Sequence, residues 1–186
     1  MTAPSEPQGS EFPYVALTAQ AAGIHPSTGR LLTLDAVTFD GTGRVGETFY
    51  QVFNPGRDAG PRHTHGLEAS DFAQAPRFSR SLRGLDRLID GRQLTLHNSP
   101  HDWGYIVSES RRAMNAAARA NRSRRGRGNR RRQRVGHVPR PEGIVDVLAT
   151  VRLQGNVPVD TRLPALAAIA GVAVPPPAAT EEERAR

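Results

Sequence analysis

The sequence predicts an α/β domain whose mixed five-stranded sheet, with three antiparallel strands first, is flanked by helices. Two observations lead to this prediction. Three β-rich runs, at about residues 13–19, 31–39 and 45–53, follow one another with short connections, as in an antiparallel meander. Amphipathic helical segments then alternate with short strand-like runs, which is typical of a sheet covered by helices.

The strands are predicted from residue type and from the turns that separate them. Val, Leu, Thr and Phe dominate the three runs, and such β-branched and aromatic residues favour a pleated sheet. The run 25–29 (HPSTG) forms the first turn, and 40–43 (DGTG) forms the second. A fourth strand is expected at 93–97, in an interior position of the sheet.

The helices are predicted from apolar periodicity. A short helix is expected at 68–72 and a longer one at 78–90, where five large apolar side chains share one face and Gly91 follows as a terminator. A long helix is expected from Asp102 to about Ala120. The segment 144–153 begins with an apolar pair and becomes helical, and 162–170 forms another short helix.

Composition limits the kinds of site and location. The 186 residues contain no cysteine, which excludes disulfides and thiolate zinc sites. No apolar run approaches the roughly 20 residues of a membrane-spanning helix, and the N-terminus is polar and contains proline. We therefore expect a cytoplasmic protein with no membrane partner. We expect residues 1–11 to be a disordered lead, 12–173 the domain and 174–186 a Pro-rich break with a polar tail.

Positive charge is concentrated in one segment. Of the 25 basic residues, all arginine, 11 lie between Arg111 and Arg134, a window without acids, whereas the rest of the chain has 14 arginines against 18 acids. An Arg-rich insertion at 122–134 can be a solvated loop without a partner or can hold nucleic-acid phosphates. The candidate phosphate-binding residues are Arg111, Arg112, Arg122, Arg124, Arg125, Arg127, Arg130, Arg131, Arg132 and Arg134.

Four blocks over roughly 13–172 resemble the DEDDh-type 3′–5′ exonuclease domain, as in the proofreading subunit of bacterial DNA polymerase III. The blocks are 15–24 (VALTAQAAGI), 54–56 (NPG) with 65–67 (HGL) and 75–78 (APRF), 97–102 (HNSPHD), and 144–152 (IVDVLATVR) with 163–172. The resemblance implies a ribonuclease-H-like fold. It also implies that Ala19, Gly23 and Ile24 line a pocket for the terminal nucleotide.

The same resemblance implies a damaged catalytic site. The family binds two divalent metal ions through four carboxylates and uses a histidine as general base. Here Thr18 and Gln20 occupy the positions of the first two carboxylates, and Asp102 matches the third. The family's last motif, a histidine and an aspartate, has no counterpart after Val172. Because Mg²⁺ needs anionic oxygens, we expect no cofactor, with Mg²⁺ or Mn²⁺ serving any residual activity.

Two acidic residues also have simpler interpretations. Asp102 can be the N-cap of the long helix instead of a residual metal or phosphate ligand, and Asp146 is interpreted as an N-cap. The leading hypothesis for the whole chain is a nucleic-acid-binding, exonuclease-like domain with impaired catalysis. The alternatives are an active 3′–5′ exonuclease that uses Asp102, and a scaffold whose arginines bind an acidic protein.

Overall fold

The computed structural model describes residues 11–123, 134–155 and 157–173. Five strands form one sheet, and their bounds are β1 (Tyr14–Ala22), β2 (Arg30–Phe39), β3 (Val45–Val52), β4 (Gln93–Leu96) and β5 (Gly143–Asp146). Five helices accompany them: α1 (Ala69–Gln74), α2 (Phe78–Ile89), α3 (Ser99–Ser123), α4 (Val147–Leu153) and α5 (Leu163–Ile169). A short 3-10 turn covers Arg62–Thr64.

The sheet is mixed, in the order β3-β2-β1-β4-β5. β1, β2 and β3 pair antiparallel, as the short turns between them predict, whereas β4 and β5 join in parallel. Parallel pairing requires a crossover, and α2 and α3 supply it. The predicted five-stranded α/β fold with three antiparallel strands first is therefore confirmed, and β4 lies in the interior of the sheet.

The two faces of the sheet differ in what covers them. Val15, Leu17 and Ala19 alternate along β1 onto the face that packs against α2 and α3, where Tyr105 and Ile106 are fully buried. On the opposite face, a smaller apolar cluster of Leu32, Val52, Leu67 and Phe72 lies beside α1. The remainder of that second face is open.

The long helix α3 begins earlier than its sequence indicates. It starts at Ser99, so Asp102 lies inside the first turn and is not the N-cap. Pro100 is tolerated there because the first turn of a helix needs no N–H partner within the helix. The Ser99 N–H and hydroxyl both donate to Asp146, at 2.8 and 2.7 Å. This tertiary contact, between residues 47 positions apart, sets the start of the helix.

A group of polar side chains on α3 holds the turn between β1 and β2; we call Tyr105, Ser108, Glu109 and Arg112 the α3 latch. The Tyr105 hydroxyl donates to Gly23 O at 2.7 Å, and Ser108 Oγ donates to Pro26 O at 2.7 Å. Burial raises the pKa of the Tyr105 phenol, so this hydroxyl remains a donor at neutral pH. The latch fixes the end of β1 relative to α3.

Several predictions concern residues outside the described ranges. Of the predicted disordered lead, residues 1–10 lie outside them, as do 124–133 of the Arg-rich insertion and the predicted tail at 174–186. Within the described ranges, no helix has the length and apolar character needed to cross a membrane. The domain boundaries and the cytoplasmic location remain predictions.

Candidate functional site

A cleft of about 580 Å³ lies on the open face of the sheet. Its floor is formed by residues of β1, β2 and β3 and by the end of β4, and Val147 and Leu163 stand at its rim. The apolar part of the floor comes from residues such as Ala16 and Val37. A cavity of this volume that is mostly apolar, with a few polar groups, is typical of small-molecule and substrate sites.

Thr18 and Gln20, the predicted positions of the lost carboxylates, both point to this open face and are exposed. Thr18 lines the cleft. The Gln20 side-chain oxygen accepts a hydrogen bond of 3.1 Å from the Thr33 hydroxyl on β2. Both groups are neutral, so they supply none of the anionic charge that divalent metal ions require.

Asp102 does not join them. It is buried, and its carboxyl lies 2.9 Å from His101 Nδ1. It is not among the described residues that line the cleft. Across the described ranges, no three His, Cys, Asp or Glu residues are grouped so that they could hold a metal ion. The residues at the predicted positions therefore do not fit a two-metal centre.

The three residues expected to line a pocket for a terminal nucleotide are not among the described residues that line the cleft. Ala19 points away from the cleft into the core and is 9% exposed. Gly23 has φ = 98°, a conformation that favours glycine. Its carbonyl oxygen already accepts a hydrogen bond from Tyr105 of the α3 latch. Ile24 is 83% exposed on the adjacent turn. Their role in nucleotide binding remains a prediction.

Four of the candidate arginines fall within the described ranges. Arg111 and Arg122 are exposed on α3, and Arg134, the first described residue after 124–133, is also exposed. Arg112 donates to Glu109 at 3.0 Å and to the carbonyl oxygens of Pro26 and Ser27 at 2.9 and 2.7 Å. These contacts give Arg112 a structural role in the latch. The other six arginines, 124, 125, 127, 130, 131 and 132, lie outside the described residues.

The structure brings two further residues into the cleft that the sequence analysis gave no function. Asp35 on β2 is paired with Thr18 in the β1–β2 register, and both line the cleft. His97, which follows β4, also lines it. The sequence offered one indication of a role for Asp35: it is an acidic residue within the otherwise mostly apolar run LLTLDAVTF. Only the strand register shows that it faces the cleft.

Asp146 is the N-cap of α4, as predicted. Its Oδ1 accepts from Ala149 N–H at 2.9 Å, and its Oδ2 accepts from Ser99. Burial raises the pKa of the Asp146 carboxyl, but the hydrogen bonds from Ala149 and Ser99 outweigh burial, so the pKa lies below its usual range. The carboxylate thus ties together the starts of α3 and α4 beside the cleft.

We expect Asp146→Ala to lower the free energy of unfolding by about 1–2 kcal/mol at neutral pH, as loss of an N-cap does. The carboxyl pKa is depressed in the folded state, so its stabilisation is present above the unfolded pKa of about 3.9 and is lost as the pH falls through the folded pKa. Urea denaturation of both proteins between pH 7 and pH 2.5 should show the difference shrinking below about pH 4. A difference that stays constant would contradict this assignment.

The comparisons with known proteins bear on the fold. No family profile matches the chain, and no curated protein matches it. Product-bound exonuclease I matches over 86% of this chain and 38% of its own length, with a TM-score of 0.60 and 14% sequence identity. Escherichia coli exonuclease I in complex with a dT13 oligonucleotide matches over 54% of this chain and 24% of its own, with a TM-score of 0.48 and 15% identity.

The chain thus spans less than two fifths of the length of these exonuclease I chains. At this level of identity the likeness concerns the fold alone. It confirms the coarser part of the predicted resemblance, whereas the specific likeness to a polymerase proofreading subunit remains a prediction. Sheet order, helix placement and the product-bound neighbour together show that the chain has an exonuclease-like, ribonuclease-H-like α/β fold.

Proposed function

We propose that this domain binds single-stranded nucleic acid and hydrolyses phosphodiester bonds poorly or not at all. The observation that carries the proposal is the chemistry of the open sheet face. At the two β1 positions where the resemblance expects carboxylates, both on the cleft side of the sheet, the chain has Thr18 and Gln20. The binding part of the proposal comes from the exonuclease-like fold and from the Arg-rich segment.

Weak hydrolysis follows from electrostatics. Two-metal hydrolysis places two divalent cations about 4 Å apart, and anionic ligands must offset their repulsion and desolvation. Neither Thr18 nor Gln20 is anionic, and Asp102 is buried against His101. We therefore propose that binding requires no metal ion, and that Mg²⁺ or Mn²⁺ would matter only to residual cleavage.

Binding is proposed to depend on phosphate contacts from the arginines of the segment 122–134. Eight arginines and no acid occur in that segment, so it attracts polyanions. It contains no aromatic side chain, which favours backbone contact over base stacking. If roughly five of these arginines neutralise phosphates on a single strand, log K against log salt falls with a slope of about −3.5.

The cleavage part is tested with the full chain, 5′-labelled single-stranded DNA and RNA 20-mers, and either Mg²⁺ or Mn²⁺. We expect the oligonucleotides to keep their length on a denaturing gel. Stepwise shortening that persists through repeated purification and disappears in Asp102→Asn would overturn the proposal and establish an active exonuclease.

The binding part is tested by fluorescence anisotropy across a salt series. We expect the triple substitution of Arg130, Arg131 and Arg132 by serine to weaken binding about tenfold and to flatten the salt slope. The matched control replaces Arg80, Arg87 and Arg152, which are exposed on α2 and α4, and removes the same charge. Equal losses in the two variants would contradict a specific role for the segment. Absence of binding by the wild type would favour the scaffold alternative.

A further inference from the structure

Exposed apolar side chains are concentrated in one part of the domain. Eleven large apolar side chains are exposed in the described ranges, and eight of them lie between Ile144 and Val172. This part of the chain contains β5, α4 and α5. None of the residues of α4 is buried, and the buried residue of α5 is Leu166. Apolar surface concentrated in this way is typical of an interaction site.

The rest of this sequence lacks the side chains to cover that surface. Outside the described ranges are residues 1–10, 124–133, 156 and 174–186. Their large apolar residues are Met1 and Val174, and the others are polar, charged, small or proline. Two large apolar side chains are too few to cover eight, so these segments are not the partner of the surface.

The strand β5 adds an open edge to the same surface. It pairs with β4 on one side and is the last strand in the sheet, so its other side has no strand to pair with among the described residues. Ile144 and Val145 are 42% and 38% exposed. The charged side chain of β5, Asp146, is already engaged by Ser99 and Ala149. An open, apolar edge of this kind favours the addition of another strand.

The edge strand at the other end of the sheet is better protected. β3 carries Glu47, which is exposed, and its register with β2 is irregular between Val37 and Phe39. Exposed charges and irregular pairing both discourage the addition of a further strand. The register of β5 with β4 is regular. Of the two edges, β5 is therefore the one suited to pairing with a strand from another molecule.

Charge favours a second copy of this chain as the partner. The chain has a formal net charge of +7, whereas residues 143–173 contain two arginines and two aspartates and are neutral. Two of these four charges, Asp160 and Arg162, form an ion pair with each other. Positively charged copies repel each other elsewhere, and this neutral part gives them a face at which they can meet.

We propose that two copies of the chain pair through β5 across a twofold axis, so that the two five-stranded sheets join edge to edge. Antiparallel pairing of a strand with its own copy satisfies the self-complementarity that such an axis requires. A standard interface buries about 800 Å² per partner, more than a four-residue strand supplies. The exposed apolar side chains of α4 and α5 therefore contribute. This inference does not depend on nucleic-acid binding.

Sedimentation velocity of the full chain from about 2 to 200 µM measures the oligomeric state, since association follows mass action. We expect the average mass to rise toward that of two chains. Val145→Lys brings two like charges together near the axis and should weaken association at least about tenfold. The matched control is Val45→Lys, which makes the same change at an exposed position of β3 and should leave association unchanged.

A second variant guards against misfolding of Val145→Lys. Leu153 is 88% exposed on α4, so Leu153→Glu leaves the packing of the domain intact and should also weaken association. A wild-type chain that remains monomeric throughout the series would overturn the inference. Association that is equal in the wild type and in both of these variants, or that is lost equally in Val45→Lys, would do the same.

Cysteine cross-linking tests the strand pairing itself. The chain has no cysteine, so Ile144→Cys or Val145→Cys introduces a single thiol. In an antiparallel pair of short strands these positions lie near the axis, where the Cα atoms of the two copies come within the roughly 4.4–6.8 Å that a disulfide spans. We expect a disulfide-linked dimer from at least one of the two after mild oxidation, and none from Val45→Cys. A dimer that cross-links at neither β5 position would contradict pairing through β5.

Discussion

Replacing Glu109 with alanine is expected to lower the free energy of unfolding by about 3 kcal/mol, the low end for breaking a buried ion pair. Glu109 is 3% exposed. Its carboxylate accepts hydrogen bonds from Arg30 at 2.6 and 3.2 Å and from Arg112 at 3.0 Å. It also accepts a hydrogen bond from the backbone N–H of Leu31. Alanine leaves two guanidinium groups facing each other. They keep 28% and 29% of their surface exposed, so water limits the loss.

Urea denaturation followed by circular dichroism measures this effect. The control is Asp160→Ala, which removes an exposed ion pair between neighbours in the sequence. The Asp160 carboxylate lies 2.6 Å from the guanidinium of Arg162, two residues further along the chain. The Arg162 guanidinium lowers the pKa of Asp160 to about 2, yet exposed pairs of this kind contribute little to stability. We expect no measurable shift of the midpoint in the control. Equal midpoints for the two variants would show that the latch does not hold the β1–β2 turn.

Replacing Gly29 with alanine is expected to destabilise the domain by about 2–3 kcal/mol, as insertion of a methyl group into a packed site does. Gly29 is buried in the turn held by the α3 latch. A Cβ atom there would overlap the Tyr105 hydroxyl and would lie 2.5 Å from the carbonyl oxygen of Ala22. To relieve this overlap, Tyr105 must move and lose its hydrogen bond to Gly23.

Gly84 provides a matched control on α2. A Cβ atom at Gly84 meets nothing within 4 Å, and glycine is unfavourable in the middle of a helix. We therefore expect Gly84→Ala to raise stability by about 0.5–1 kcal/mol, opposite in sign to Gly29→Ala. The two variants are compared by thermal unfolding under one condition. A Gly29→Ala protein as stable as the wild type would show that the turn is not packed against Tyr105.

Local sequence signals predicted most elements correctly because each signal acts over a few residues. The apolar face of α2 (Phe78, Leu82, Leu85, Leu88 and Ile89) is buried as the periodicity predicted. The predicted start of α3, at Asp102, was wrong. The Ser99–Asp146 contact that accompanies the true start joins residues that are distant in sequence, so no local pattern indicates it. The same predicted start allowed Asp102 to be the N-cap, whereas Asp102 lies buried in the first turn beside His101.

The sequence alone determined two features of the candidate site. Thr18 and Gln20 on β1 are uncharged, and the segment 122–134 is rich in arginine. Tertiary structure alone decided which groups share the cleft. Asp35 meets Thr18 through the register of an antiparallel pair, and His97 lines the same cleft because it directly follows the parallel strand β4. A shift of one residue in either register would turn those side chains to the other face, so only the assembled sheet brings them together.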